Sequence, residues 1–226
     1  GRDRGLTMPD LLAIADRVAG WAADGEQVEA VVVHEREVEV RAYEGQVESL
    51  TAAESQGLGV RVVRDGRQGF AYAGTLDGDA LAEVLAEARD NAAFATPDEH
   101  AGLAIPDKVP VLDLDLFRAE LADHPMDDKV AMALELEHLT AQADPRISGV
   151  ESAEYSDVVS EAAVVTSTGI RAATRETGCC LMVSVLAEEH GETQTGFGFS
   201  LGRQPDELDV ERAATDAAIR ATRMLG

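Results

Sequence analysis

Chemistry in this chain would have to come from five histidines, two cysteines and a large stock of carboxylates. His34-Glu35 opens like the His-Glu-x-x-His signature, in which two imidazoles one helical turn apart converge on a metal and the glutamate serves as base. No histidine follows at that spacing, and the neighbouring residues alternate as a strand, so both read as surface or sheet-edge polar groups. His138 falls on a helical pattern beside Glu135 and Glu137 and reads as a solvated side chain. His100 and His124 lie in a stretch without periodicity and His190 in a turn, so the five do not cluster. Cys179 and Cys180 are adjacent, and on a strand they point to opposite faces, where they cannot jointly chelate one metal. The expectation is a buried core cysteine with its neighbour on the other face. A nucleophilic role would need a partner histidine that the sequence does not place. Asp113, Asp115, Asp127 and Asp128 lack the regular spacing of a calcium loop, and Asp127-Asp128 sit where a helix N-terminus favours negative charge. Gly57-Leu58-Gly59 does not lead into a helix, so it is no dinucleotide loop, and neither a Gly-x-Ser-x-Gly elbow nor a phosphate loop occurs. From the residues alone, no catalytic, cofactor-binding or metal-binding residue is assigned.

The elements that would position any such group follow from apolar spacing. Residues 7–23 carry Leu11, Leu12, Ala15, Val18, Ala19 and Ala22 at helical intervals, with Thr7 as N-cap, Pro9 in the first turn and Asp10 three residues after the cap. Val38, Val40 and Ala42 then alternate with charged residues, and Glu44-Gly45 turns the chain into a hairpin. Leu58, Val60 and Val62 alternate next, and Asp65-Gly66 supplies the positive φ of a second tight turn. A helix over 77–91 presents Leu81, Val84, Leu85 and Ala88 as one stripe. The second half repeats this order: a helix over 125–143 with Val130, Ala133, Leu134 and Ala141 on a face, strands near 148–166, 170–187 and 193–201, and a helix over 205–225. Turn glycines (Gly45, Gly66; Gly169, Gly191) and a Gly-Phe pair (Gly69-Phe70; Gly196-Phe197) recur in both halves. The fold class is therefore α+β: a largely antiparallel sheet with helices packed on it, built by internal duplication of a helix–strands–helix unit. The halves span about 7–92 and 125–225 of the chain. A strap over 93–124 joins them, expected to be pinned to the body by Leu112, Leu114, Leu116 and Phe117.

Composition narrows the partners. The chain has 226 residues, 19 basic against 43 acidic side chains, and a net charge of −24, which argues against a nucleic-acid surface. Only Lys108 and Lys129 are lysines. No run of about 18 apolar residues suggests a membrane span, the first residues resemble neither a signal nor a transit peptide, and two adjacent cysteines make no disulfide framework. A cytoplasmic protein is the expectation.

Several runs carry a resemblance. Glu44-Gly45-Gln46-Val47-Glu48, Gly57-Leu58-Gly59-Val60-Arg61-Val62 and Asp65-Gly66-Arg67-Gln68-Gly69-Phe70-Ala71 are similar to the N-terminal half of the TldD/PmbA family, also called modulators of DNA gyrase. The likeness extends through Thr96-Pro97-Asp98-Glu99-His100-Ala101-Gly102-Leu103, Asp113-Leu114-Asp115-Leu116-Phe117, Ala143-Asp144-Pro145-Arg146-Ile147, and Gly196-Phe197 onward to the last helix. The resemblance implies a zinc metallopeptidase system of two homologous subunits, TldD and TldE (or PmbA), acting on peptides or unfolded proteins. In that family the metal motif, His-Glu-x-x-x-His with a later cysteine, belongs to the C-terminal half of TldD, so no zinc ligand carries over to this sequence. The 96–103 run is more like the PmbA branch, whose members lack the metal. Residues 1–226 would then be one N-terminal domain of a non-catalytic partner, without the C-terminal metal-bearing type of domain. Such a chain would hold a homologous subunit in a hetero- or homodimer, and help to wall the substrate chamber. Two other readings stay open: a free-standing acidic α+β binding or dimerisation module, and a hydrolase using Cys179 or Cys180. An extended peptide could add as a strand at an exposed sheet edge in either leading case.

Overall fold

The computed structural model describes residues 10–110, 112 and 114–226. Helix α1 (Leu11–Ala19) precedes strands β1 (Glu26–Tyr43), β2 (Gln46–Arg64) and β3 (Arg67–Ala73) and helix α2 (Gly78–Phe94). After a short helix α3 (Ala119–Ala122) the same order returns: α4 (Met126–Gln142), β4 (Ile147–Thr166), β5 (Arg171–Glu189), β6 (Glu192–Gly202) and α5 (Val210–Thr222). The strands form one sheet in the order β3-β2-β1-β4-β5-β6, so each repeat contributes three consecutive strands and ends on its own edge. The α+β class and the duplicated order are as the sequence pattern indicates.

Three of the hairpin turns are two residues long with both residues at positive φ: Glu44 and Gly45 (53° and 74°), Asp65 and Gly66 (51° and 70°), His190 and Gly191 (52° and 85°). That conformation matches the right-handed twist of the flanking strands and fixes the register. Arg64 thus faces Arg67 and Glu189 faces Glu192. The recurring Gly-Phe pairs have a packing reason. A Cβ at Gly69 would overlap the backbone of α2 at Ala88 and Ala92, and one at Gly196 would overlap α5 at Ala217 and Ala221. The phenylalanine of each pair is exposed. Each edge strand also has one carbonyl taken by its helix: Asn91 Nδ2 donates to Phe70 O at 2.9 Å, and Arg220 Nη1 to Phe197 O at 2.7 Å.

Two compact units make up the chain. One takes in the described residues of Gly1–Glu35, Ser55–Leu114 and Ser160–Arg175, and the other Arg36–Glu54, Asp115–Val159 and Glu176–Gly226. The tip of the β1/β2 hairpin therefore belongs to the second unit and the tip of the β4/β5 hairpin to the first. Each unit has its own apolar core. Val18, Val28, Val32, Val60, Leu81 and Leu85 centre the first. Val40, Leu121, Leu136, Tyr155, Leu181 and Val183 centre the second. In the first unit Glu26, whose side chain is only 1% exposed, pairs with Arg89 of α2 at 2.7 Å. The Arg89 hydrogen bond holds the Glu26 carboxyl below its ordinary range. No helix among the described residues is long and apolar enough to cross a membrane.

Several sequence expectations need correction. Thr7 and Pro9 lie outside the described residues, and the observed first helix is capped by Asp10, whose carboxylate accepts from Ala13 N at 3.0 Å. On helix α4 the expected face holds in part: Ala133 is buried and Val130 and Leu134 pack half-buried against the core, but Ala141 is exposed. The fully buried stripe runs through Lys129, Ala133, Leu136, Glu137 and Thr140, because the contact face is set by core partners remote in sequence. The last helix starts at Val210 under an Asp209 cap, after a 3-10 turn at Pro205–Glu207. In the strap, Leu112 and Leu114 are exposed, at 76% and 64%, while Leu103 and Leu121 are the buried anchors. Phe117 and Leu116 do meet the second unit: Phe117 packs on its core, and Leu116 O accepts from Thr177 N at 3.0 Å.

Candidate functional site

A hollow of about 740 Å³ in the second unit is built from short stretches of five strands. Strand β1 contributes Glu37–Glu39, β2 Thr51 and Ala53, β4 Ser156–Val158, and β5 Gly178–Cys180. Leu201 and Gly202 of β6, then Arg203 and Glu207, close one side. Its volume lies within the range of about 300–1,000 Å³ usual for ligand pockets. Small side chains (Thr51, Ala53, Ser156, Gly178, Cys180) open the space. A smaller cleft of about 290 Å³ adjoins these strands and is lined by Arg36, Leu121 and Lys129 among others. Asp157 lines both.

Asp157 anchors a buried ionic cluster. Lys129 Nζ lies 2.6 Å from Asp157 Oδ2, with side chains only 6% and 4% exposed. The Tyr155 hydroxyl donates to the same oxygen at 2.8 Å. Residues 129, 133, 136 and 140 form one stripe of α4, which carries the lysine into the core. A buried carboxylate this far from water needs such partners, because an unpaired one costs several kcal/mol. Burial raises the Tyr155 phenol well above its ordinary value, with the hydrogen bond and charge of Asp157 adding to the shift. Burial, then Asp157, pushes the Cys179 thiol up to about 12. Cys180 is raised too, by burial and by Glu154. Both cysteines are therefore thiols at neutral pH, the weak form of the nucleophile and of the metal ligand.

The sequence-singled residues stay apart. His34 is buried in the first unit, correcting its reading as a surface or sheet-edge group; even-numbered residues of β1 face the helices there. His100 is exposed beside Glu99, His138 lies 3.1 Å from Gln142 on an exposed face of α4, and His190 occupies the β5/β6 turn. His124 follows α3, its Nε2 buried without a hydrogen-bond partner among the described residues. Asp115 pairs with Arg118, Asp127 and Asp128 sit in the first turn of α4, and Asp113 lies outside the described residues. Among the described residues, no three His, Cys, Asp or Glu side chains are grouped so as to hold a metal ion. These residues do not fit a zinc site. The Lys129–Asp157–Tyr155 cluster, by contrast, went unread in the sequence. Its signal was a lysine on the buried stripe of a helix, in a chain with one other lysine, Lys108, and otherwise arginine.

Comparison with known proteins places this architecture. Residues 28–92 match the family model described as PmbA/TldA metallopeptidase domain 1, and residues 119–225 the PmbA/TldA metallopeptidase central domain. The chain belongs to the PmbA/TldD metallopeptidase family. A curated relative, Metalloprotease PmbA of Escherichia coli O157:H7, is 27% identical over 216 residues, covering 94% of this chain and 47% of the relative. The chain thus spans about half the length of the curated relative it matches. Two solved structures share the fold. A protein from Bacteroides thetaiotaomicron, named for modulation of DNA gyrase, superposes with a TM-score of 0.78 at 23% identity, over 96% of this chain and 49% of that one. TldE from Thermococcus kodakarensis gives a TM-score of 0.74 at 17% identity, over 92% and 45%. The two family models flank the strap, one covering β1 through most of α2, the other α3 to the last helix, and residues 93–118 lie between them.

Proposed function

We propose that this chain is the N-terminal part of a PmbA-like subunit, which associates with a homologous TldD-type subunit and helps to wall the chamber where peptides or unfolded proteins are cut. The observation that carries the reading is the ordered match to domain 1 and the central domain, over about half of a curated metalloprotease. The described residues offer no ligand set for zinc, so the reading assigns the metal and the hydrolytic step to residues outside them. A cytoplasmic location belongs to the same reading. The test is co-expression of the full-length protein with its TldD-type homologue. A stable pair should co-purify, with peptidase activity that needs both proteins and disappears on chelation. Chelator-sensitive turnover by this protein alone would overturn the non-catalytic assignment. A protein that never pairs would point to the free-standing binding module instead.

A further inference from the structure

We infer that the 740 Å³ hollow of the second unit is a docking groove for an extended peptide that carries basic residues between apolar ones. The inference deepens the substrate side of the proposed function and rests on it. Two features support this occupant. First, the hollow is an open groove whose walls are mostly small and apolar, including Val38, Ala53 and Val158, which suits a chain of alternating side chains better than a polar metabolite. Second, its charges do not balance. Asp157 is already neutralised by Lys129, and its remaining contact is the Tyr155 hydroxyl. Arg203, the one cation on the wall, has its guanidinium committed to Thr177 O at 2.8 Å and to Glu176 at 3.6 Å. Glu207 is partly satisfied by Arg203 N at 2.7 Å. Glu37 and Glu39 have no ion-pair partner among the described residues, and both are exposed at the groove. Arg36, in no ion pair with another described residue, lines the adjoining smaller cleft, as does Glu37.

A groove whose lining combines two carboxylates without ion-pair partners and apolar side chains favours a lysine or arginine side chain, whose methylene stem covers apolar surface while its head meets the acids. The net charge of −24 acts in the same direction, steering cationic chains toward the surface at low salt. Nucleic acid is disfavoured by the same field.

The test uses the purified full-length protein and dye-labelled short peptides of alternating leucine with arginine, glutamine or glutamate, read by fluorescence anisotropy. The arginine peptide should bind about 3–10-fold tighter than the glutamine one, the span given by two exposed charge contacts, and the glutamate peptide weakest. This advantage should shrink as salt rises from about 50 to about 500 mM. The exposed double substitution Glu37→Gln/Glu39→Gln should abolish the arginine advantage without moving the thermal midpoint. Ala53→Phe, which fills the hollow, should weaken all three peptides. Equal binding of arginine and glutamine peptides, or an advantage that survives Glu37→Gln/Glu39→Gln, would overturn the inference. So would release of the peptide by spermidine at matched charge, which would assign the groove to small cations. The paired-subunit assay separates the two claims. Loss of peptide preference with pairing and activity intact defeats only the groove, whereas failure to pair defeats the proposed function whatever the peptides do.

Discussion

The two edge systems, β3 under α2 and β6 under α5, are copies of one design that have drifted apart. In both, a glycine lets the strand backbone touch the helix, an exposed aromatic pair follows at i and i+2, and a helix side chain occupies the same kind of edge carbonyl. Asn91 and Arg220 are placed alike, each one residue before the alanine that the glycine touches. The second copy is tighter. It has a further glycine, Gly198, whose added Cβ would overlap Ala213 of α5, whereas the first has Ala71 at the matching place and buries its methyl. Arg220 also spreads over Phe197 and Phe199, at 4.9 and 5.9 Å from the ring centroids, which Asn91 cannot imitate. Duplication therefore preserved the approach of helix to strand, and left edge protection and buried charge free to diverge. The first unit neutralises Glu26 with a part-exposed Arg89, the second Asp157 with a buried Lys129.

The buried pairs give the largest test of this difference. Lys129→Ala would strand the Asp157 carboxylate in the core and should cost about 3–5 kcal/mol in denaturant unfolding. Arg89→Ala should cost less, about 1–2 kcal/mol, because its side chain is 37% exposed and Glu26 keeps its bond from Ala23 N. A Lys129→Met/Asp157→Leu double variant should recover most of the loss, since a well-packed apolar pair can replace a buried ionic one. Equal costs for Lys129→Ala and Arg89→Ala would erase the distinction between the two units.

Next in size are the glycines. Gly198→Ala drives a methyl into the α5 backbone and should cost about 1–3 kcal/mol, while the reverse change in the first copy, Ala71→Gly, should cost only about 1 kcal/mol. Arg220→Ala should lower stability by about 1 kcal/mol through its lost hydrogen bond and ring contact, and Asn91→Ala by no more than about that. If Asn91→Ala proved the costlier, the tighter second edge would be an illusion of geometry.

Much of this frame was legible beforehand because it is local. A two-residue turn announces itself through residues that accept positive φ, as at Glu44-Gly45 and Asp65-Gly66, and strand alternation then fixes which side chains face the helices. The recurring Gly-Phe pairs were visible too, although their cause, contact with Ala88 or Ala217, is not local. What escaped depends on distant partners. Leu112 and Leu114 look like anchors in isolation, yet burial fell to Leu103, where Gln27 Oε1 accepts from its backbone N–H at 2.8 Å, and to Leu121. Lys129 escaped for the same reason: charged helix residues face water by default, and only the position of Asp157 and Tyr155 on a strand of the same unit reverses that.

Titration should separate the units most clearly at the alkaline end, with the smallest effect, since on the acid side Asp144 and Glu192 of the second unit also hold lowered carboxyls. Glu26 has a lowered folded pKa, so its contribution is present above its ordinary 4.5 and is lost as pH falls below it. Cys179 has a raised one, about 12 against an ordinary 9.0, so its contribution is complete below pH 9.0 and drains away as pH climbs toward about 12. Tyr155 is shifted in the same direction and steepens that loss. Trp21, the single tryptophan, belongs to the first unit, and Cys179 and Cys180 to the second. The urea midpoint from Trp21 fluorescence should therefore drop on acidification, and the midpoint from pulsed alkylation of the cysteines on alkalinisation. Cys179→Ala should flatten the alkaline limb, with Cys180 remaining as the alkylation reporter. Midpoints that move together at both ends would mean that the two cores unfold as one, and that the divergence seen in their buried charges has no separate energetic consequence.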